Sequence, residues 1–293
     1  MQLDSNQLAA LAAILRHGSF EAAAAALNVT PSAISQRIKA LESRVGVTLV
    51  ERGQPCTATP AGQRLAKHAE DVALLEAQAL AALGPATGPA PSVRLAVPAD
   101  VLSTWLIPVL ATVPDILFDL VLDDQDTSDE WLRRGEVSAA ITGHARAAPG
   151  CDVVDIGAMR YVATASPSFM SQWFSTGVTA QTLARAPMLV FNAKDQLQAR
   201  WMSQCTGRKL SPPCHHLPAS HGFVEAACAG LGWGMNPTLL VKSHLASGQL
   251  VPLVPDATLE VPLYWQVSRV MAPALHLLTR AIVKAGQHRL GQS

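Results

Sequence analysis

From residue 8 to residue 83 apolar side chains recur at helical spacing, and from residue 93 short apolar runs alternate with helical stretches. Leu8, Leu11, Ile14 and Leu15 mark a first helix. Phe20, Ala23, Ala24 and Leu27 fall at i, i+3, i+4 and i+7, and the small side chains of Ala22 to Ala26 let another helix pack closely across them. Asn28-Val29 breaks the period. Thr30 then offers a hydroxyl cap, and Pro31 stands at a first helical position, where its missing N–H costs nothing. Ile34, Ile38 and Leu41 turn inward on the helix that follows. Val47 to Arg52 reads as a short strand, a wing after three helices. Thr59-Pro60 starts another helix, with a stripe through Leu65, Ala69, Val72, Ala79 or Leu80, and Leu83 that Glu76 interrupts. Roughly 24 residues at 1.5 Å each give about 36 Å of helix. Gly84 to Pro91 reads as a hinge.

The remainder reads as α/β. Strands are expected at Val93–Val97, Phe118–Leu122 and Val137–Ile141, with helices beginning near Ser103-Thr104 and spanning Thr127–Gly135. Met159 to Ser166 leads into a second lobe containing Met188–Phe191, a helix around Val224–Ala229 and the run Gly230-Leu-Gly-Trp-Gly234. That run follows a helix and lacks the G-x-G-x-x-G spacing, so it is read as a helix end, not a dinucleotide loop. Leu263–Val267 returns, and Ala274–His288 closes the fold. Two lobes joined by two crossings form a cleft, where small ligands bind.

Composition narrows the classes. The 293 residues carry no net charge, 49% are hydrophobic, and mean hydropathy is +0.22. Charges interrupt every long apolar run, and the N-terminus lacks a basic segment with an apolar core, so neither a membrane span nor a secretory signal is expected. Five cysteines without a C-x-x-C pair fit free thiols in the cytoplasm. Cys214-His215-His216 reads as a strand, whose alternate side chains face apart, and not as a metal site. No nucleophile motif, metal spacing or phosphate loop points to an enzyme. Residues 1–67 hold a surplus of three cations.

A helix-turn-helix at 20–44 makes DNA the expected partner. Residues at the start of such a second helix reach the major groove. Ser32, Ser35 and Gln36 are the base-edge candidates, and Arg37, Lys39 and Arg52 the phosphate anchors, with Thr30 and Pro31 at the helix entry. Phe20-Glu-Ala-Ala-Ala-Ala-Ala-Leu-Asn-Val-Thr-Pro-Ser-Ala-Ile-Ser-Gln-Arg-Ile-Lys-Ala-Leu-Glu42, Leu49-Val-Glu-Arg52 and Thr59-Pro-Ala-Gly62 resemble the LysR-type bacterial transcriptional regulators. The resemblance runs the length of the chain. It implies a winged helix-turn-helix at 1–58, a dimerising helix and hinge at 59–90, and a two-lobed, periplasmic-binding-protein-like effector domain at 91–293. The first lobe would be 91–161 with 267–293, and the second 162–266. It further implies a dimer through residues 59–83, or a tetramer, on a dyad-symmetric DNA site, with RNA polymerase as a partner and no cofactor beyond an effector.

Asp100-Val-Leu-Ser-Thr-Trp105, Leu122-Asp-Asp-Gln125, Leu132-Arg-Arg-Gly-Glu-Val137, Gly157-Ala-Met-Arg-Tyr161 and Leu263-Tyr-Trp-Gln266 are similar to the lysine/arginine-responsive subgroup, which activates export of basic amino acids. The expected effector set is Asp100, Ser103, Thr104, Trp105, Asp124, Thr142, Phe191, Ser220 and His221. Asp100 and Asp124 would meet a cation, and a helix N-terminus at Ser103-Thr104 an α-carboxylate. Asp123 reads as solvated, while Asp126, Asp129 and Glu130 suit the start of a helix. The subgroup pattern calls for an acid at 221, where this chain has histidine. A different effector, or a nucleoid or replication-origin role indifferent to amino acids, stays open at this point.

Overall fold

The computed structural model describes residues 3–81, 83, 90–123 and 128–291. Helices α1 (Ser5–His17), α2 (Phe20–Ala26) and α3 (Pro31–Val45) open the chain. Each begins on a side chain that accepts a first-turn N–H: Asp4 from Gln7, Ser19 from Ala22, and Thr30 from Ala33. Asn28 takes a left-handed conformation (φ 52°) in the turn between α2 and α3, which asparagine tolerates better than most residues. Leu8, Leu11, Ile14, Ala23, Ala24, Ile34, Ile38 and Leu41 close one core at the predicted spacing.

The wing is the antiparallel pair β1 (Val50–Glu51) and β2 (Thr57–Ala58), shorter than the predicted run. Just upstream the backbone is held by Glu42, whose Oε1 accepts from the N–H groups of Leu49 (2.8 Å) and Val50 (3.4 Å). Helix α4 (Pro60–Ala81) starts on the Thr59 hydroxyl, which accepts from Gly62 N–H. A Cβ on Gly62 would lie 1.9 Å from the Leu49 carbonyl oxygen, so only glycine lets α4 cross the wing this closely.

The α4 stripe divides between partners. Leu65, Ala66 and Ala69 pack on the N-terminal core, and Leu74 and Leu75 on the core of the next domain. Asp71 pairs with buried Lys67 and accepts from Ser138 Oγ, and Gln78 donates to the Pro273 carbonyl. Leu65 and Ala69 of the expected stripe are therefore covered within the chain, and Leu74 and Leu75 add a contact outside that stripe. Leu80 and Leu83 stay 61% and 85% exposed. Most of the predicted hinge at 84–91 lies outside the described residues.

Strand β3 (Ser92–Val97) pairs in parallel with β4 (Leu117–Leu122) and β5 (Ala139–Thr142). Val93, Leu95, Ala96 and Val97 are all buried, as suits a strand covered on both faces. Between β3 and β4 the helix begins at Ala99, with α5 (Ala99–Val101), a π-helical turn at Leu102–Leu106 and α6 (Ile107–Leu110). The expected start at Ser103-Thr104 is thus corrected by a full turn. α7 (Asp129–Arg133) lies between β4 and β5, with Asp129 and Glu130 in its first turn.

β6 (Cys151–Ala165) is twice the expected length, because Asp152, Asp155 and Gly157 broke the apolar pattern of its first half. It leads through α8 (Pro167–Trp173), α9 (Ala180–Leu183), β7 (Met188–Val190), α10 (Leu197–Thr206), β8 (Cys214–His216), α11 (Ser220–Cys228), β9 (Gly234–Pro237), α12 (Thr238–Ala246) and β10 (Val251–Pro252). β11 (Thr258–Ser268) runs back antiparallel to β6, and α13 (His276–Leu290) packs on the first lobe. The sheet order is β10-β6-β11-β5-β3-β4, with β9 on β6. Tyr264–Val267 already pair with β5, so the return crossing is spread along β11 instead of falling at 267. Two further expectations shift: α11 begins at Ser220, four residues before Val224, and the Gly-rich run ends in strand β9.

Candidate functional site

The first candidate surface is the exposed side of α3. Ile34, Ile38 and Leu41 anchor the helix in the core, so the opposite face is held rigidly. Thr30, Pro31, Ser32, Gln36 and Lys39 are exposed there, with Ser35 and Arg37 half-buried. Arg52 does not extend freely from the wing: its guanidinium lies 5.1 Å from the centre of the Phe20 ring. A guanidinium held by its face keeps its in-plane N–H donors for a phosphate.

The second is the cleft between the lobes. Pro98, Ala99, Asp100 and Asp123 line it from the first lobe. Phe191, Asp195, Leu197, Ser220, Phe223, Met235, Asn236 and Pro237 line it from the second. Asp100, in the first turn of α5, ties three elements together. Its Oδ1 accepts from Ser220 Oγ of α11 at 2.7 Å, and its Oδ2 from Tyr161 OH of β6 at 3.0 Å. Burial pushes the Asp100 carboxyl above the usual range; the Ser220 and Tyr161 hydroxyls pull it down, and the charge of Asp195 pushes it up.

Asp123 follows β4. Its Oδ2 accepts from the Trp131 indole N–H at 2.8 Å, and its Oδ1 lies 3.7 Å from Lys194 Nζ of the opposite lobe. Asp195 is fixed by the backbone N–H groups of Phe191 and Leu197, both 3.0 Å away, which shapes the entry to α10. Asn236 donates to Thr164 Oγ1 at 2.9 Å. The cleft thus combines three carboxylates with apolar walls from Phe191, Leu197, Phe223 and Met235. Among the described residues, the cation nearest these carboxylates is Lys194 at the rim of the opposite lobe. Such a site suits a cationic ligand with an apolar stem. Among the described residues no three His, Cys, Asp or Glu are grouped to hold a metal ion.

Residues 5–63 match the family model described as "Bacterial regulatory helix-turn-helix protein, lysR family", and residues 86–287 match "LysR substrate binding domain". The chain belongs to the LysR family of bacterial transcriptional regulators. A transcriptional regulator of Mycobacterium tuberculosis, LysG, is 45% identical to this LysR-type regulator over 282 residues, 96% of this chain and 93% of that one. The crystal structure of ArgP from Mycobacterium tuberculosis superposes with a TM-score of 0.79 at 44% identity, covering 97% of this chain and 98% of that one. Full-length LysG from Corynebacterium glutamicum, with bound effector Arg, gives a TM-score of 0.64 at 37% identity, covering 97% and 98%.

The structure sorts the effector candidates of this regulator. Asp100, Phe191 and Ser220 line the cleft together. Ser103 and Thr104 do not: they lie inside the π-helical turn, and the Thr104 hydroxyl is spent on the Asp100 carbonyl at 2.6 Å. No free helix N-terminus exists at that position. Trp105 is buried in the core. Thr142 is fully buried, accepting from Gln266 Nε2 and donating to the His144 carbonyl. His221 is exposed on α11 and does not line the cleft. Asp124 lies outside the described residues.

Asp123 was expected in solvent, yet its side chain is only 19% exposed and lines the cleft. Tyr161, Asp195 and Asn236 also escaped the sequence reading. Asp195 carried a usable signal, an aspartate two residues before a helical run, where its oxygens satisfy free N–H groups. Tyr161 and Asn236 carried none, since only the crossing strands bring them to the cleft.

Proposed function

We propose that this LysR-type regulator senses a basic amino acid, arginine or lysine, and controls a gene for amino-acid export. The observation that carries the effector reading is the cleft itself: Asp100, Asp123 and Asp195 meet there between two lobes. The arginine bound to the Corynebacterium glutamicum relative supports the same chemistry. Asp100 and Asp123 are the acceptors for the ligand's cationic groups, with Phe191 and Ser220 beside them. Closing the cleft on a ligand alters how the lobes pack between subunits. Such a shift is limited by the ligand's differential affinity for the two states.

In this reading Thr30, Pro31, Ser32, Ser35, Gln36, Arg37, Lys39 and Arg52 form the DNA face, and two copies read a dyad-symmetric site. The organisation is a DNA-binding domain at 1–58, a linker at 59–90 and an effector domain at 91–293. The regulator works in the cytoplasm as a dimer or tetramer, contacts RNA polymerase and catalyses no reaction. Export is the target implied by the resemblance of the segments at 100–105, 122–125, 132–137, 157–161 and 263–266 to the basic-amino-acid subgroup.

A thermal-shift screen against the common amino acids tests the effector reading. A ligand at about 100 times its Kd adds roughly 2.7 kcal/mol to stability. Arginine or lysine should raise Tm while leucine and glutamate leave it unchanged. A shift with an acidic or apolar amino acid alone would sink the reading.

A further inference from the structure

Each carboxylate of the cleft is engaged differently, and the difference singles out one residue. Both oxygens of Asp195 accept backbone N–H groups of their own loop, and both oxygens of Asp100 accept hydroxyls. Asp123 accepts the Trp131 indole N–H on one oxygen, and its other oxygen lies 3.7 Å from an ammonium group of the opposite lobe. That ammonium belongs to Lys194, which reaches across the cleft from the loop after β7. The Lys194 side chain is 60% exposed, whereas that of Asp123 is 19% exposed. A long, solvated cation thus rests on the carboxylate that faces the opposite lobe. At neutral pH lysine and arginine each end in the same kind of group, a cation on an apolar stem.

We propose that Lys194 is a tethered competitor of the effector, its ammonium holding the place at Asp123 that the side-chain cation of a basic amino acid takes on binding. The inference rests on the basic-amino-acid reading above and adds the residue that sets its threshold. One Asp123 oxygen cannot serve two cations at full strength, so binding must first displace Lys194. An exposed pair of this kind is weak and is screened by salt. It lowers apparent affinity by the fraction of time Lys194 is seated, without abolishing binding. The regulator then answers to a higher concentration of basic amino acid than the bare cleft would. The competition falls on ligands that end in a cation, because a neutral end lacks the charge to take the place of Lys194 at Asp123 and leaves that pair seated.

Titration calorimetry with arginine, and with citrulline as its neutral isostere, tests the inference on the full chain and on Lys194→Met. The methionine keeps the apolar stem of lysine and removes only the charge. Arginine should bind Lys194→Met about two- to sixfold more tightly than it binds the parent, as expected for losing one exposed ion pair. Citrulline should show no gain. An equal gain for both ligands would make Lys194 a general latch between the lobes and overturn the competitor role. Weaker arginine binding would make it an anchor for the ligand's carboxylate, which also overturns it. Unchanged arginine affinity does the same. Should neither protein bind arginine or lysine while another amino acid binds both, the effector reading itself falls, and this inference with it.

Discussion

The DNA-reading helix and the effector cleft solve recognition in opposite ways. The residues assigned to DNA come almost entirely from one stretch, 30–39, on a helix whose buried side is fixed by Ile34, Ile38 and Leu41. They are mostly exposed, and apart from Thr30 and Pro31, which start the helix, they can be altered with little effect on its fold. The cleft gathers Asp100, Asp123, Asp195 and Ser220 from four separate connections on two lobes. Its groups depend on one another: Asp100 needs Ser220 and Tyr161, and Asp123 needs Trp131. A reader of a long polymer is served by a rigid, modular face. A sensor gains from a site that is complete only when two bodies come together.

The contrast predicts that damage to the N-terminal core is local in place but severe in degree. Ile38 is almost fully buried, and Ile38→Ala should cost about 2–5 kcal/mol. In a thermal melt it should unfold the DNA-binding domain first and leave arginine binding by the effector domain intact. A single shared transition, with arginine binding lost, would show that the two regions fold as one unit.

Asp123→Asn perturbs the cleft instead. The amide keeps the shape and can still accept the Trp131 N–H, but it loses the charge. Hydrogen bonds to charged groups contribute about 1.5–3 kcal/mol, so arginine affinity should fall roughly tenfold or more by calorimetry. DNA binding without ligand should stay as in the parent. A loss of basal DNA binding would mean that the cleft and the recognition helix are not separable.

Smaller effects are expected on α3 and the wing. Gln36→Ala should relax preference at one base position by about 1–3 kcal/mol in a binding-site selection. Arg52→Ala should weaken binding to all sequences alike and lower the salt slope by about one unit. If the two variants exchange these signatures, the division into base-edge and phosphate groups is reversed.

The least effect in size, though distinctive in sign, belongs to Asp100→Asn. Burial raises the Asp100 carboxyl above its unfolded value of 3.8, so the ionised form is disfavoured in the folded protein. The cost is absent at pH below the unfolded value, develops as pH climbs from there through the raised folded value, and is full above it. Asp100→Asn should therefore melt higher than the parent at pH 7, with the gain fading as pH falls toward the unfolded value. A lower melting point at pH 7 would mean that the bonds from Ser220 and Tyr161 outweigh burial.

The same contrast explains how much was legible in the sequence. The helix-turn-helix could be read because its core, caps and polar face are all local: Thr30, Pro31 and the i, i+4, i+7 spacing of Ile34, Ile38 and Leu41 need no tertiary partner. The parallel strands β3 and β4 were legible as apolar runs. The cleft was legible only in part: Asp100, Phe191 and Ser220 were expected there, while Asn236 and the Tyr161 partner of Asp100 depend on how the strands cross. Asp123 lies just past the end of β4, and nothing local in the sequence marks it to meet Lys194 of the opposite lobe. The helix start was misplaced because Ser103-Thr104 carries good cap chemistry, while Pro98, with no side-chain donor or acceptor, holds that place in the fold. The apolar stripe of 59–83 pointed to a second subunit and could not show that Leu65 and Ala69 would also pack on the core of their own chain, while Leu80 and Leu83 stay exposed.

A basic amino acid in the cleft should alter how the N-terminal helices meet DNA. The most direct measurement is a footprint on DNA selected by the regulator, taken without ligand and with arginine at about 100 times its measured Kd, for the parent and for Asp123→Asn. The parent should protect a dyad-centred site whose extent or spacing changes when arginine is added, and Asp123→Asn should give the ligand-free pattern in both conditions. An identical parent footprint with and without saturating arginine would contradict the claim.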